Sequence, residues 1–389
     1  MVERQQGATG ERPAAKQLVF DALSAGDTVS RVGLARRWGL RLATVTEVTR
    51  ELLEDGLIME AGEEASTGGR RPVLLRMNHE AFHVVGAHVE HRMVRCALYS
   101  SGMEIIGESS LELSPEVDNQ ALAAGVAAAV KGLLDELGFA PVKVKAIGVA
   151  FPGRVDAAKG VYRGGGILKN VLDCPARDLL EAVFKVPVAI DHDVAAMAIA
   201  EHKLGLLDAA RNSCLLYIGQ GVGAKFALDG KLYRGAANGA GEFGHMRLRD
   251  DGPQCHCGKR GCFESLASVA AIVRDFGGKA SFSEIVSLAE GGDVKADRTL
   301  QDAAKLIGEA VGDIFYFMDI EQLVVAGEIV LAEPLIGETL RRSVVWHDTT
   351  VPRKILFSRQ GSEVAMAGMA LQAARPLYAK AGVELCGVA

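Results

Sequence analysis

The run Cys255-His-Cys-Gly-Lys-Arg-Gly-Cys262 constrains this chain more than any other stretch, because it sets three thiols on one glycine-rich loop. A histidine, His245, lies close upstream in Gly239-Ala-Gly-Glu-Phe-Gly-His-Met246. Zinc takes four tetrahedral ligands from thiolate sulfur and imidazole nitrogen, and Cys255, Cys257, Cys262 and His245 make such a set. Gly258 and Gly261 let the backbone turn sharply between the last two cysteines. Three thiolates and one imidazole close the coordination sphere, so the expected metal is structural and pins a loop. His256 is a rival fourth ligand, but with a ligating cysteine on each side it is badly placed to point the same way. Such clustering in a chain with seven cysteines argues against three unrelated thiols.

If one ring nitrogen of His245 binds metal, the other carries a proton and becomes a fixed donor. Glu242 and Glu264 sit on the same loops, and carboxylates accept from sugar hydroxyls. Either glutamate alone also reads as a solvated loop charge. Together on a metal-pinned loop they point to the wall of a polyhydroxyl pocket. Ala240-Gly-Glu-Phe-Gly-His245, followed by Cys-x-Cys-Gly-x-x-Gly-Cys-x-Glu over 255–264, resembles the signature of the ROK family. That family contains bacterial sugar kinases and sugar-responsive transcriptional repressors, and the resemblance extends over essentially the whole chain. It implies an α/β actin-like ATPase (ribonuclease H-like) fold of two lobes.

The length of 389 residues suggests two or three domains. A formal net charge of −6 offers no bulk attraction to nucleic acid, so any DNA contact must come from a local patch. The odd number of cysteines, three of them in a metal pattern, fits a reducing cytoplasm. The polar opening Met1-Val-Glu-Arg-Gln-Gln reads as no export signal. No stretch approaches the roughly 20 continuous apolar residues of a membrane span, so no membrane partner is expected.

Residues 1–13 are polar and contain Gly and Pro, and a disordered lead-in is expected there. From Ala14 an apolar helical period through Leu18, Val19, Ala22 and Leu23 predicts a helix that Gly26 ends. Ser30 is a good N-cap for a second helix over 32–38, which Gly39 stops. A third helix is expected over 43–54, with Val45, Val48, Leu52 and Leu53 as its buried stripe. Asp55-Gly56 closes it, and 57–59 and 73–77 read as the strands of a hairpin tipped by Thr67-Gly-Gly-Arg-Arg-Pro72. Three short helices and a hairpin describe a winged helix-turn-helix over 14–80, whose third helix enters the major groove. Candidate DNA contacts are Arg41, Thr44, Thr46, Glu47 and Arg50 on that helix, with Arg70 and Arg71 at the wing reaching phosphate or a narrow minor groove. Acidic and basic residues nearly balance over 1–80, which leaves a protein-interaction head as the alternative. The pattern also resembles the N-terminal domain of ROK repressors, wing sequence included. The family's sugar kinases usually lack that domain.

At Ala81 the composition shifts, and 83–89 and 93–99 read as paired strands, with a third from Glu104. The first lobe is expected over 81–192 plus 370–389, and the second, with the zinc loop, over 193–369. In the family's kinases the first turn carries an Asp that helps place magnesium, then Gly-Gly-Thr, whose glycines let the backbone approach ATP phosphates. Here His88 stands at the Asp position and Glu90-His91-Arg92 replace Gly-Gly-Thr. These side chains fill the space, and Glu90 repels phosphate. Tyr217-Ile-Gly-Gln-Gly-Val-Gly-Ala224 resembles the second phosphate loop, with Gln220 in place of a hydroxyl residue. Residues 323–329 resemble the adenosine loop, with Glu328 in place of one glycine. No productive ATP binding and no catalysis are expected.

The sugar side is better kept. Phe151-Pro-Gly-Arg-Val-Asp156 resembles the loop that touches sugar hydroxyls through Gly153 and Arg154. Strand 186–193 leads into a helix, and the matching segment of the kinases ends in Asn-Asp, where Asp is the general base. Here the pair is His192-Asp193. Asp193 is the catalytic residue if the chain is a kinase; without ATP in line it holds a hydroxyl instead. Taken alone it also reads as a helix N-cap. Beyond the zinc loop, helices are expected over 265–276, 281–289, 297–317, 334–342 and 362–380, with a strand over 322–326.

The expected function is that of a sugar-responsive transcriptional regulator, a repressor that binds operator DNA. Its effector, a sugar or sugar derivative, is expected in an interlobe pocket of Gly153, Arg154, Asp193, Glu242, His245 and Glu264. The resemblance implies a homodimer or homotetramer. Two alternatives stand beside it: an ATP-dependent, hexokinase-type sugar kinase with an added DNA-binding domain, and a regulator controlled by a protein partner.

Overall fold

The computed structural model describes residues 12–63, 71–90, 92–114, 116–165, 168, 170–207, 210–236, 238–345, 352–361 and 363–384. Residues 1–11 of the expected lead-in and residues 67–70 of the expected hairpin tip, Arg70 included, lie outside the described residues. The chain divides into two compact units: residues 1–152, 160–190 and 369–386 form one, and 153–159, 191–368 and 387–389 the other.

The first unit opens with α1 (Arg12–Ser24), β1 (Val29–Ser30), α2 (Arg31–Trp38), α3 (Leu42–Glu54), β2 (Ile58–Glu63) and β3 (Val73–Met77). Ser30 caps α2 by accepting the Gly33 N–H at 3.2 Å. Gly39 ends it at φ 64°, a left-handed conformation that glycine reaches without a Cβ clash. Strand β1 has no counterpart in the sequence patterning, because two residues carry no period. It pairs antiparallel with β3 and completes the sheet β1-β3-β2. Two expected core positions differ: Leu18 and Leu53 are half-buried, while Phe20 and Thr49 are fully buried. Thr49 can go inside because its hydroxyl is satisfied, donating to the Val45 carbonyl at 2.7 Å and accepting from Arg31 Nε at 3.0 Å. Phe20 goes inside because α1 has a second buried face, where Phe20 meets Tyr378 edge-on at 5.3 Å.

Next come β4 (His83–Val89), β5 (Met93–Ser100), β6 (Ile105–Glu112), α4 (Asn119–Glu136), β7 (Val144–Phe151), β8 (Arg154–Asp156), β9 (Val161–Gly164), α5 (Ala176–Phe184) and β10 (Val188–His192). The sheet order is β10-β7-β4-β5-β6. Strand β4 is buried at every position, His83 and His88 included, as befits the central strand of its sheet.

The second unit contains α6 (Asp193–Leu204), β11 (Ser213–Ile218), β12 (Val222–Leu228), β13 (Lys231–Tyr233), α7 (Phe263–Ala267), α8 (Val269–Phe276), α9 (Phe282–Glu290), α10 (Val294–Met318), β14 (Gln322–Ala326), α11 (Glu333–Ser343) and β15 (Lys354–Phe357). Helix α12 (Glu363–Lys380) begins there and ends in the first unit. The single helix expected over 265–276 is two. Ser268 stays extended and caps α8 by accepting the Ala271 N–H at 3.1 Å. The sheet order is β13-β12-β11-β14-β15.

Both five-stranded sheets share one wiring. In each, the first strand is antiparallel to the second and parallel to the fourth, and the second is antiparallel to the third. The turn between first and second strands is therefore the same station in both: between Val89 and Met93 in one sheet and between Ile218 and Val222 in the other. Among the described residues, no helix is long and apolar enough to cross a membrane.

Candidate functional site

The ligand atoms of His245, Cys255, Cys257 and Cys262 all lie within 4.8 Å of one another and could hold a metal ion. Cys255 Sγ is 3.5 Å from His245 Nδ1, and Cys257 Sγ is 3.7 Å from Cys262 Sγ. Tetrahedral zinc with Zn–S bonds of about 2.3 Å puts sulfurs about 3.8 Å apart, so this donor set fits it. Gly261, at φ 64°, makes the turn possible: a Cβ there would fall 1.7 Å from the Arg249 carbonyl oxygen. Burial pushes the Cys262 thiol up to about 12 and raises that of Cys255. Without a metal they stay protonated, and a bound cation is what makes them thiolates. His256 lies outside this set. Its Nδ1 turns to Glu264 Oε1 at 3.0 Å, and its ring packs edge-on against His245.

His245 faces two ways. Nδ1 looks to the thiol cluster, while Nε2 lies 3.9 Å from Glu242 Oε2. Glu264, in the first turn of α7, accepts the Val222 N–H through Oε2 at 2.9 Å. A Cβ on Gly221 would sit 2.9 Å from that oxygen. In this chain, then, the glycine of the second phosphate-like loop makes room for a carboxylate. Asp193 is not the N-cap of α6. His192 is, with Nδ1 accepting the Val194 N–H at 3.1 Å, and Asp193 Oδ1 accepts the same N–H at 2.6 Å. Burial holds the His192 pKa below the ordinary imidazole value. Gly153, at φ 82°, precedes β8, and Arg154 is exposed at the start of that strand.

Three charged residues beside these carry no motif. Asp191, nearly fully buried, accepts both Arg234 nitrogens at 3.0 and 2.7 Å. Lys225 on β12 donates to the Ala240 carbonyl at 2.6 Å. The one sequence signal was a lysine inside an otherwise apolar strand.

At the first turn, His88 is buried with Nδ1 3.4 Å from Glu90 Oε1, and the Glu90 N–H donates to the Met93 carbonyl. His88 and Glu90 thus place their side chains beside each other at this turn. At the matching turn of the second sheet, Gln220 Nε2 donates to Glu328 Oε2 at 3.4 Å. The two residues that replace the family's hydroxyl and glycine thus meet each other.

On α3, Arg41, Thr46, Glu47 and Arg50 are exposed and Thr44 is half-buried. Thr46 bonds its hydroxyl to the Leu42 carbonyl, and Arg50 pairs with Glu54 at 2.6 Å. Arg71 is exposed near Glu63.

Two sheets with one repeated strand order define an actin-like, ATPase-type α/β protein. The ROK family profile matches residues 86–375, and the chain belongs to the ROK family. It is 28% identical over 348 residues to the DNA-binding transcriptional dual regulator NagC of Escherichia coli K12, with 85% of each chain covered. It is 26% identical to the xylose repressor of Bacillus spizizenii, over 85% of this chain and 86% of that one. The crystal structure of a ROK family transcriptional regulator, a homolog of the E. coli MLC protein, shares the fold with a TM-score of 0.77. It covers 95% of this chain and 96% of its own, at 24% identity.

Proposed function

We propose that this chain is a sugar-responsive transcriptional repressor that has lost kinase chemistry. One observation carries the reading: His88 and Glu90 stand beside each other at the first turn, while Glu264 is held against Val222, where a carboxylate can accept from sugar hydroxyls. Sugar recognition without a place for ATP is what a sensor needs. The winged helix-turn-helix presents Arg41, Thr44, Thr46, Glu47 and Arg50 to the major groove, with Arg70 and Arg71 on the wing. Gly153, Arg154, Asp193, Glu242, His245 and Glu264 hold the sugar. A structural zinc on His245, Cys255, Cys257 and Cys262 orders the loop between Glu242 and Glu264. NagC and the xylose repressor, matched along most of their length, support this function. A homo-oligomer in the cytoplasm pairs two DNA heads on a near-palindromic operator. A sugar that favours one conformation of the body shifts DNA affinity by that preference. The test is selection of a duplex from a random DNA pool, followed by binding with and without sugars. Sequence-specific binding that a sugar alters is expected.

Asp193 at the start of α6 favours one second reading, a sugar kinase with an added head. Incubation with magnesium, ATP and a sugar panel decides it. No ADP above blank is expected; sugar-dependent turnover abolished by Asp193→Asn would establish the kinase.

A further inference from the structure

We propose that Leu42, Ala43 and Thr46 of α3 form a patch of methyl groups that reads thymine in the major groove. This rests on the DNA-binding reading of the N-terminal helices and narrows it to a class of operator sequence.

The buried stripe of α3 decides which residues are left for DNA. Val45, Val48, Thr49 and Leu52 pack inward. At 3.6 residues per turn, Ala43, Glu47 and Arg50 lie on the opposite side of the helix, and Leu42 and Thr46 flank them on one side. All five are exposed. Leu42 is 49% exposed, and a single exposed leucine means little. This one has apolar company, because Thr46 is four residues from Leu42 and three from Ala43 and so lies next to both.

Thr46 brings a methyl to the patch without a free donor. Its hydroxyl donates to the Leu42 carbonyl at 2.8 Å, within the helix. What remains for the groove is the methyl and an acceptor oxygen.

The chemistry of the groove picks the partner. Each base pair shows its own donors and acceptors there, and of the four bases only thymine shows a methyl. The N-terminal residues of a recognition helix are the ones that meet base edges. In α3 these are Leu42, Ala43 and the half-buried Thr44, none of them charged. Charge begins a turn later, with Glu47, a carboxylate that suits cytosine, and Arg50, which pairs with Glu54 at 2.6 Å. A cytosine or purine under Leu42 would lose water from polar atoms that the leucine cannot bond, whereas a thymine methyl loses nothing. The surroundings suit a nucleic acid. Arg36, in the last turn of α2, and Arg41, which directly precedes the patch, are exposed and have no ion pair among the described residues. Phosphates satisfy such cations and set the register of the helix, while the methyls supply the sequence information.

The test uses the full chain and the duplex selected from a random pool. Each thymidine of the selected site is replaced in turn by deoxyuridine, which pairs alike and lacks only the methyl, and binding is read by fluorescence anisotropy. At one or more positions uracil should weaken binding roughly fourfold, the scale of one buried methyl. Leu42→Ala should weaken binding to the thymine duplex and shrink the uracil effect at its position to less than about twofold. Thr46→Ser, which keeps the hydroxyl and removes the methyl, should do the same at a position of its own. Misfolding would weaken every duplex alike and leave the uracil ratios unchanged. The uracil scan is read on the unaltered chain, so it stands even if a variant fails to fold. A site at which no uracil weakens binding, or a uracil effect that persists in both folded variants, overturns the proposal and leaves the DNA-binding reading in place. No sequence-specific binding overturns that reading, and this proposal with it.

Discussion

Glu264 reaches from the first turn of α7 to accept the backbone N–H of Val222 at 2.9 Å, across the space that Gly221 leaves open. The bond fixes one carboxylate oxygen. The other faces the exposed His256. A turn that resembles a phosphate loop is here the seat of a carboxylate.

Gly221→Ala would push a methyl to 2.9 Å from that carboxylate, and the far end of Glu264 must swing away. Because the tip of a glutamate moves cheaply, stability should change by less than about 1 kcal/mol. Sugar affinity should fall roughly tenfold, since the acceptor is misplaced. Melting and titration of the same variant separate the two effects; unchanged affinity would mean that Glu264 does not touch ligand.

Metal analysis of the purified chain should find about one zinc per chain, and Cys257→Ser should lose it. Chelation should also lower the melting temperature, because the free energy of metal binding is coupled to loop folding. Full metal retention by Cys257→Ser would remove the thiol cluster as the binding site.

Tyr378 is buried between Phe20 and Phe82, edge-on to both rings, and donates its hydroxyl to the Ser101 carbonyl. Burial raises its pKa, so the hydroxyl remains a donor. Tyr378→Phe removes that donor and should cost about 1–2 kcal/mol in denaturant unfolding. Phe20→Ala should cost about 3–5 kcal/mol, because it opens a cavity under the N-terminal helices. If neither variant shifts the unfolding midpoint, the docking of α1 on α12 contributes nothing.

Much of this was readable before any coordinates, where the signal is local and chemical. Ser30, Gly39 and Asp55-Gly56 punctuate the N-terminal helices, so their limits fell within a residue or two of the reading. The four candidate metal ligands are close in sequence and share one chemistry. Other features resist reading for physical reasons. The helical period runs unbroken through Ser268, so nothing marked the break between α7 and α8. Asp191 and Arg234 are 43 positions apart, and neither belongs to a motif, so only the fold joins them. Thr49 and Phe20 lie inside because tertiary partners satisfy them, which no single-helix pattern records.

His192 should give stability a pH dependence. Its imidazole is held neutral in the fold by burial, below the ordinary value, whereas an unfolded imidazole takes its proton at about 6.5. Below that pH the unfolded state binds more protons, so stability falls as pH drops from about 6.5 through the lowered folded value, and rises in the other direction. His83, also lowered by burial, adds a term of the same sign. His192→Asn should flatten the slope between about pH 7.5 and 5.5 in denaturant unfolding. An unchanged slope would show that the folded imidazole is free to charge.

The most direct test of a sugar-responsive repressor is fluorescence anisotropy of a selected DNA duplex titrated with the chain, alone and with each sugar of the panel. At least one sugar should change the DNA dissociation constant about fivefold or more, the scale of ordinary allosteric coupling. Arg50→Ala should weaken binding with or without sugar. DNA affinity that no sugar alters, or no sequence-specific binding at all, would contradict the account.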